Sequence, residues 1–172
     1  MSPLVRPLAL LLGVASTLAC GYRLAGTSSD LPAHIARIAV TPFENRTTRP
    51  EIEQRVTEQV ARLLNSRGRY RTVTRTDEAD AVLDGAVTSY RSLPVQFTSS
   101  GRATRVEAVI TVQATLRDLA DDTVLWSQSG LIFKEQFDVP ESGEFFDQSG
   151  EALDLLARGV ADALVTSIFE GF

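Results

Sequence analysis

The stretch RVEAVITVQATLR, residues 105–117, alternates apolar and polar side chains and decides the fold. One side carries only apolar residues: Val106, Ala108, Ile110, Val112, Ala114 and Leu116. The other side is polar apart from Val109. Because successive side chains of a β-strand point to opposite faces, this alternation predicts a strand with one buried and one wet face.

Strand patterns flank this stretch on both sides. Residues 81–90 precede it, and Gly85 within them marks a bulge or a point of close packing. Residues 124–137 follow an acidic turn at 118–122, and we expect Trp126 to pack on the sheet. Since hairpin-type loops join the three strands, we predict an antiparallel meander.

The first part of the domain has the pattern strand–helix–strand. Strands are predicted over residues 37–43, where β-branched residues are bounded by a proline, and over 70–74. Between them, apolar residues recur at the spacing of one helix face: Ile52, Val56, Val60, Leu63 and Leu64. Thr48 and Glu51 form a capping-box pattern that predicts the helix start, and Gly68 predicts its end in a left-handed cap.

A second amphipathic helix is predicted near the C-terminus, ending before Gly171. The positions of its inner face repeat at helical spacing: Leu153, Leu156, Ala157, Val160, Ala163, Leu164, Ser167 and Ile168. The fold class is therefore α/β, a two-layer sandwich in which a mixed sheet of about four to five strands packs against two amphipathic helices. We assign residues 35–172 to this single domain.

The N-terminal segment has the character of a targeting signal. Residues 1–19 carry one arginine, a short apolar stretch and then small residues, which is typical of a secretory signal peptide. The segment resembles a bacterial lipoprotein signal that ends before an acylated Cys20, although Thr17 stands where such signals usually have leucine. A signal peptide with an incidental cysteine, or a free buried thiol, is the alternative. Residues 20–34 form the anchor and a flexible lead, and Gly21 resembles lipoproteins sorted to the outer membrane.

Composition argues against several classes of function. The chain has 172 residues with 17 basic and 22 acidic side chains, a net charge of −5, which argues against a nucleic-acid partner. The single cysteine allows no intramolecular disulfide, and the single histidine, His34, has no cluster of metal-ligand residues beside it. The sequence has no nucleophile elbow, phosphate loop, zinc spacing or dinucleotide fingerprint. We therefore expect no enzyme activity, no catalytic residue, no cofactor and no metal.

Several short motifs follow one another in a characteristic order. They are Cys20-Gly21-Tyr22-Arg23-Leu24, Leu31-Pro32, Ile38-Ala39-Val40, Phe43-x-Asn45-Arg46-Thr47 and Val112-Gln113-Ala114-Thr115. Their order and spacing resemble the LPS-assembly lipoprotein family, LptE. The resemblance implies a non-catalytic lipoprotein of the cell outer membrane, held on the periplasmic face by its acyl anchor. It also implies that the protein sits inside the β-barrel LptD, assists its folding and binds lipopolysaccharide during delivery to the cell surface.

Positive charge for such a phosphorylated glycolipid is available in the predicted hairpin. No acidic residue occurs between Arg91 and Arg105, although the chain is acidic overall. Because clustered phosphates require local positive charge, Arg91, Arg102 and Arg105 are the candidate lipopolysaccharide contacts. The alternative is that they are ordinary surface arginines or face the barrel wall. A second basic region of some family members is acidic and aromatic here, at residues 141–146.

A second resemblance points to another class of function. Residues 38–45, a helix and residues 69–73 are similar to the opening unit of CsgG-type secretion lipoproteins and of lipoprotein activators of peptidoglycan synthases. These proteins form pores or activate an enzyme. The Cys-Gly-Tyr start and the short chain favour LptE, and the partner that co-purifies distinguishes the two.

Overall fold

The computed structural model of the chain describes residues 31–139 and 150–170. The strands are β1 (Arg37–Val40), β2 (Glu44–Asn45), β3 (Arg71–Val73), β4 (Ala81–Phe97), β5 (Ala103–Asp118) and β6 (Val124–Asp138). The helices are α1 (Ile52–Ser66) and α2 (Gly150–Glu170), with a short 3₁₀ turn at Thr76–Glu78. The predicted signal peptide, Cys20 and the acidic, aromatic stretch at 141–146 lie outside the described residues.

The six described strands form one mixed sheet in the order β3-β1-β4-β5-β6, with β2 beside β4. β1 is parallel to β3 and β4, whereas β4, β5 and β6 are antiparallel neighbours. The predicted meander and the mixed α/β architecture are confirmed. The prediction of about four to five strands omitted β2. Its two residues pair with Ala86 and Val87 and are too few to show any periodicity.

The helices cover one face of this sheet and share an apolar core with it. The predicted inner stripe of α1 is buried at Ile52, Val56, Val60 and Leu64, whereas Leu63, also predicted to face inward, is half-buried against the core. The core-facing side of β5 is also buried, and Trp126 on β6 packs against the same core. The contacts between the two helices show that they run parallel. Arg55 near the start of α1 donates to Asp154 near the start of α2 (2.6 Å), and Tyr70 after α1 stacks on Phe169 at the end of α2.

The start of α1 differs from the capping-box prediction, which was wrong. Glu51 precedes the helix with a left-handed backbone (φ 65°), and no side chain caps it. The loop is instead organised by Asn45, whose Nδ2 donates to the Arg49 carbonyl (2.8 Å) and to Glu53 Oε2 (2.7 Å). Because Asn45 comes from β2, a rule that reads four consecutive residues does not detect it. Gly68 follows the helix with the predicted left-handed φ of 70°.

The strands of the meander are longer than the helices that cover them. β5 has 16 residues and extends about 50 Å at about 3.3 Å per residue. α2 has 21 residues but extends only about 31 Å. Its first turns reach the sheet at Leu156, which packs against Ala108 and Phe137. The β4–β5 hairpin therefore continues beyond the helix layer.

Gly85 marks a close approach of backbone and side chain. A Cβ placed on Gly85 would lie 2.2 Å from Cε1 of Phe43, which is itself only 3% exposed. The irregularity in β4 lies further along, between Val87 and Ser89, where the pairing with β5 shifts register. Of the two predicted roles for this glycine, close packing is therefore correct.

The chain joins the fold at the end of the sheet away from the hairpin turn. Leu31 is 2% exposed, and its N–H donates to the Tyr70 hydroxyl (3.3 Å). His34 Nε2 lies 2.6 Å from Oδ2 of Asp118, a buried carboxylate at the end of β5. Residues 31–34 are thus packed against the domain.

Asp80 fixes β1 at this same end. Its Oδ2 accepts hydrogen bonds from the N–H groups of Ala36 (3.0 Å) and Arg37 (2.8 Å), and its Oδ1 accepts one from Arg37 Nη2 (2.7 Å). The Arg37 guanidinium, aided by these two backbone N–H groups, lowers the pKa of the Asp80 carboxyl to about 2. The charged form of Asp80 is therefore stabilised in the folded protein.

We expect Gly85→Ala to lower the free energy of unfolding by about 1–3 kcal/mol, because the added methyl overlaps the buried ring of Phe43. Urea unfolding followed by circular dichroism measures the change. Gly130→Ala is the matched control, since Gly130 also lies in a strand and its Cβ would meet nothing within 4 Å. If Gly85→Ala and Gly130→Ala lowered the free energy of unfolding equally, the close-packing role of Gly85 would be contradicted.

We expect Asp80→Asn to lower the free energy of unfolding at neutral pH by about 1–2 kcal/mol, after allowance for solvent screening of Arg37. The folded pKa of about 2 lies below the ordinary value of 3.8. The stabilisation is therefore complete above roughly pH 5 and is lost as the pH falls towards 2.

Urea titrations across this pH interval measure the free energies of unfolding of wild type and Asp80→Asn. We expect the two values to converge as the pH falls. Asp77→Asn is the control, because exposed Asp77 pairs only with exposed Arg75. If the difference in free energy of unfolding between wild type and Asp80→Asn stayed constant down to about pH 2, Arg37 would not stabilise this carboxylate.

Candidate functional site

The β4–β5 hairpin bears all three candidate arginines. Arg91 lies on β4, Arg105 lies on β5 and Arg102 lies in the turn between them. Beyond Tyr90, which packs under the start of α2, β4 continues to Phe97, a length of about 20 Å. The candidate site is therefore the open face and the tip of a hairpin rather than a cleft in the domain.

Thr98 fixes the conformation of the turn. Its N–H donates to the Arg102 carbonyl (2.8 Å), and its Oγ1 accepts from the Arg102 N–H (3.1 Å). The Gly101 N–H donates to the Thr98 carbonyl (3.0 Å), and the φ of 83° at Gly101 is one that glycine adopts without strain. These bonds place Arg102 at the tip of the hairpin with an exposed side chain.

Arg91 shares a row of the sheet with a lysine that sequence analysis did not select. The register places Arg91 opposite Val109, and Val109 opposite Lys134 on β6. Directly paired residues share a face, and this is the open face, away from the helices. Arg91 and Lys134 therefore flank Val109 about 10 Å apart, and Val109 is only 8% exposed between them. Lys134 is the only lysine of the chain, but its position beside Arg91 follows only from the β5–β6 register.

The stretch from Arg91 to Arg105 contains no acid, but the neighbouring strand β6 places acidic side chains beside it. Arg105 Nε donates to Oδ1 of Asp138 (2.8 Å), its partner across the β5–β6 ladder. Glu107, on the same open face, accepts from Gln136 Nε2 (3.3 Å). Because Asp138 already balances the charge on Arg105, Arg91 with Lys134 is the stronger pair of cations for an external anion.

Exposed apolar side chains accompany these cations. Leu93, Val95 and Phe97 on β4 are 56%, 47% and 56% exposed, and Ile132 on β6 is 60% exposed. Grouped apolar exposure of this kind marks a contact surface for a protein or a lipid. Past Val87 the outer edge of β4 pairs with no described strand, and Pro94 with its adjoining register shift interrupts that edge.

The candidate cations do not converge on one point. Arg105 lies four residues along β5 from Val109, the partner of Arg91, a separation of about 14 Å. Leu93 lies between these two rows. The surface thus presents separate positive charges with apolar side chains between them, which suits an extended amphipathic ligand with several anionic groups better than a single small ion.

The other sequence predictions concern the lipid-attachment residue and metal sites. Cys20, the predicted attachment residue, lies outside the described ranges. Within 31–139 and 150–170, no group of three or more His, Cys, Asp or Glu side chains is arranged to hold a metal ion. None of the described helices has both the length and the apolar character needed to cross a bilayer.

The sequence matches one protein family over most of its length. The family model LptE, described as lipopolysaccharide-assembly, aligns with residues 35–169. No curated protein matches the sequence.

Solved structures resemble the fold. The solution structure of uncharacterized lipoprotein B from Nitrosomonas europaea aligns with a TM-score of 0.55 and 18% identity, covering 87% of this chain and 92% of that one. A variant of the PelC dodecamer from Paraburkholderia phytofirmans aligns with a TM-score of 0.50 and 23% identity, covering 81% and 93%. Rare lipoprotein B from Shewanella oneidensis aligns with a TM-score of 0.46 and 10% identity, covering 78% and 91%. At these identities the likeness concerns the fold alone.

Proposed function

The chain belongs to the LptE lipopolysaccharide-assembly family, and on that premise we propose that it is an outer-membrane lipoprotein of lipopolysaccharide transport. In this proposal Cys20 carries the acyl anchor, and the domain lies on the periplasmic face of the membrane. The protein assists assembly of an LptD-type β-barrel and binds lipopolysaccharide on its way to the cell surface. It acts by contact and not by catalysis.

The projecting hairpin is the observation that carries this proposal. Lipopolysaccharide combines phosphates with acyl chains, so a protein that handles it needs cations beside apolar surface. Arg91 and Lys134 provide cations on the open face of the sheet, and Leu93 provides exposed apolar surface one row away. Arg102 adds a cation at the tip.

The same hairpin supports the proposal of a barrel partner. Val95 and Phe97 are exposed beyond the level of Val106, the first buried residue of β5, and the outer edge of β4 beyond Val87 has no described strand beside it. A surrounding protein wall would cover both. Contacts with lipid and with the barrel then lie on different sides of the hairpin, because Arg91 and Lys134 are on the open face and not on the edge.

Co-purification tests the barrel partner and also addresses the alternative function. A C-terminal tag on the full chain, followed by solubilisation of outer membranes, should yield a large β-barrel protein in equal amount. A homo-oligomeric ring would instead support a CsgG-like secretion lipoprotein, and a penicillin-binding protein would support an activator of a peptidoglycan synthase. Either result would overturn the proposal.

We expect Arg91→Gln/Lys134→Gln to weaken lipopolysaccharide binding about tenfold, since two charge-assisted contacts with phosphate are lost at an exposed site. The affinity of the purified protein for detergent-dispersed lipopolysaccharide measures the effect. Dephosphorylated lipopolysaccharide should show a smaller difference between wild type and variant.

The matched control is Arg46→Gln/Arg158→Gln, which removes the same charge from exposed positions outside the Arg91–Lys134 row: Arg46 follows β2 beside Val87 and pairs with Glu44, and Arg158 lies on α2. It should leave lipopolysaccharide affinity within twofold of wild type. If both double variants bound as tightly as wild type, the open face of the hairpin would not be the lipid site.

A further inference from the structure

A second acid-free stretch lies outside the hairpin. Residues 59–76 contain five arginines and no aspartate or glutamate: Arg62, Arg67, Arg69, Arg71 and Arg75. In a chain with 22 acidic residues this is a local concentration of positive charge. The stretch covers the end of α1 and all of β3. It therefore lies at the opposite end of the fold from the hairpin turn.

Two of these arginines sit on a pair of stacked aromatic rings. The Arg67 guanidinium carbon lies 5.3 Å from the centre of the Phe169 ring. Phe169 stacks on Tyr70 with ring centres 5.3 Å apart, and the Arg69 guanidinium carbon lies 5.8 Å from the centre of the Tyr70 ring. The rings are buried and the arginines are exposed, so the rings position the cations at the surface.

Three acids near this surface pair with other arginines. Asp77 and Glu78 pair with Arg75, and Asp80 pairs with Arg37, the neighbour of Arg71 across the β1–β3 ladder. Within the described parts of the chain, no acid pairs with Arg67 or Arg71. We call Arg67, Arg69 and Arg71 the basic end.

The basic end lies where the chain leads to the proposed anchor. The Leu31 N–H donates to the hydroxyl of Tyr70, the ring beneath Arg69. Residues 21–30 separate Leu31 from Cys20, and a chain of that length spans at most about 40 Å. Acylation of Cys20, which belongs to the proposed function, would therefore keep Leu31, which is bonded to Tyr70 beneath the basic end, within about 40 Å of the membrane surface.

We propose that the basic end binds the anionic phospholipid headgroups of the membrane to which the chain is tethered. Each arginine near such a surface adds electrostatic attraction, and the tether raises the effective concentration of headgroups so that individually weak contacts suffice. Binding at this end orients the domain, because the hairpin turn lies at the other end of strands that are about 50 Å long.

Vesicle binding of the full chain with Cys20→Ser, which prevents acylation, tests the proposal. Partition onto vesicles with 30% phosphatidylglycerol is compared with partition onto pure phosphatidylcholine vesicles, so contacts common to both cancel. We expect a clear preference for the anionic vesicles that declines between 50 and 300 mM salt. Arg67→Gln/Arg71→Gln should reduce the anionic partition about tenfold or more.

Arg46→Gln/Arg158→Gln is again the charge-matched control and should reduce the partition less than threefold. Equal partition onto the two kinds of vesicle, or equal losses for the two double variants, would overturn the proposal. So would a basic-end variant that keeps full vesicle binding but loses its co-purifying protein, because the surface would then belong to a protein contact. The assay contains neither barrel nor lipopolysaccharide, so its failure leaves the proposed function standing.

Discussion

The difference in rise between a β-strand and an α-helix is the constraint on which the rest of this structure depends. A strand residue adds about 3.3 Å and a helical residue about 1.5 Å. α2 therefore has more residues than β5, 21 against 16, yet only roughly 60% of its length. The side of β5 that faces the helices is buried from Val106 onwards, so the part of the hairpin beyond Val106 is the uncovered end. Val95 and Phe97 are exposed there, and Leu93 is exposed beside it on the open face.

The topology also gives the domain two chemically different ends. Since α1 and α2 run parallel, both helix C-termini lie where the chain joins the fold at Leu31, and both N-termini point towards the hairpin. Arg67 and Arg69 lie just after α1, where cations complement the negative end of the helix dipole. The hairpin end combines the positive ends of both helices with exposed cations and apolar side chains.

Sequence patterns predicted those features that depend on repeated local chemistry. The alternation in β5, the stripe of α1 and the glycine at 68 each follow from the residues alone, and all are confirmed. The register between paired strands could not be predicted from the sequence, because strand pairing joins residues that are far apart in the chain. Lys134 was missed for that reason, and Arg105 was ranked with Arg91 although Asp138 neutralises it. Asn45 replaced the predicted capping box through bonds made from β2. The fold was therefore more predictable than the site, whose charges come from three strands.

The anchor-side end and the hairpin turn are separated by the full length of the meander. Spin labels attached after Ala33→Cys and Ser99→Cys, in a chain that also carries Cys20→Ser, report this distance by double electron–electron resonance. Both positions are exposed and lie at opposite ends of the described fold. The account predicts a narrow distribution centred at about 50 Å. A distribution centred below about 30 Å, the length of α2, would contradict it.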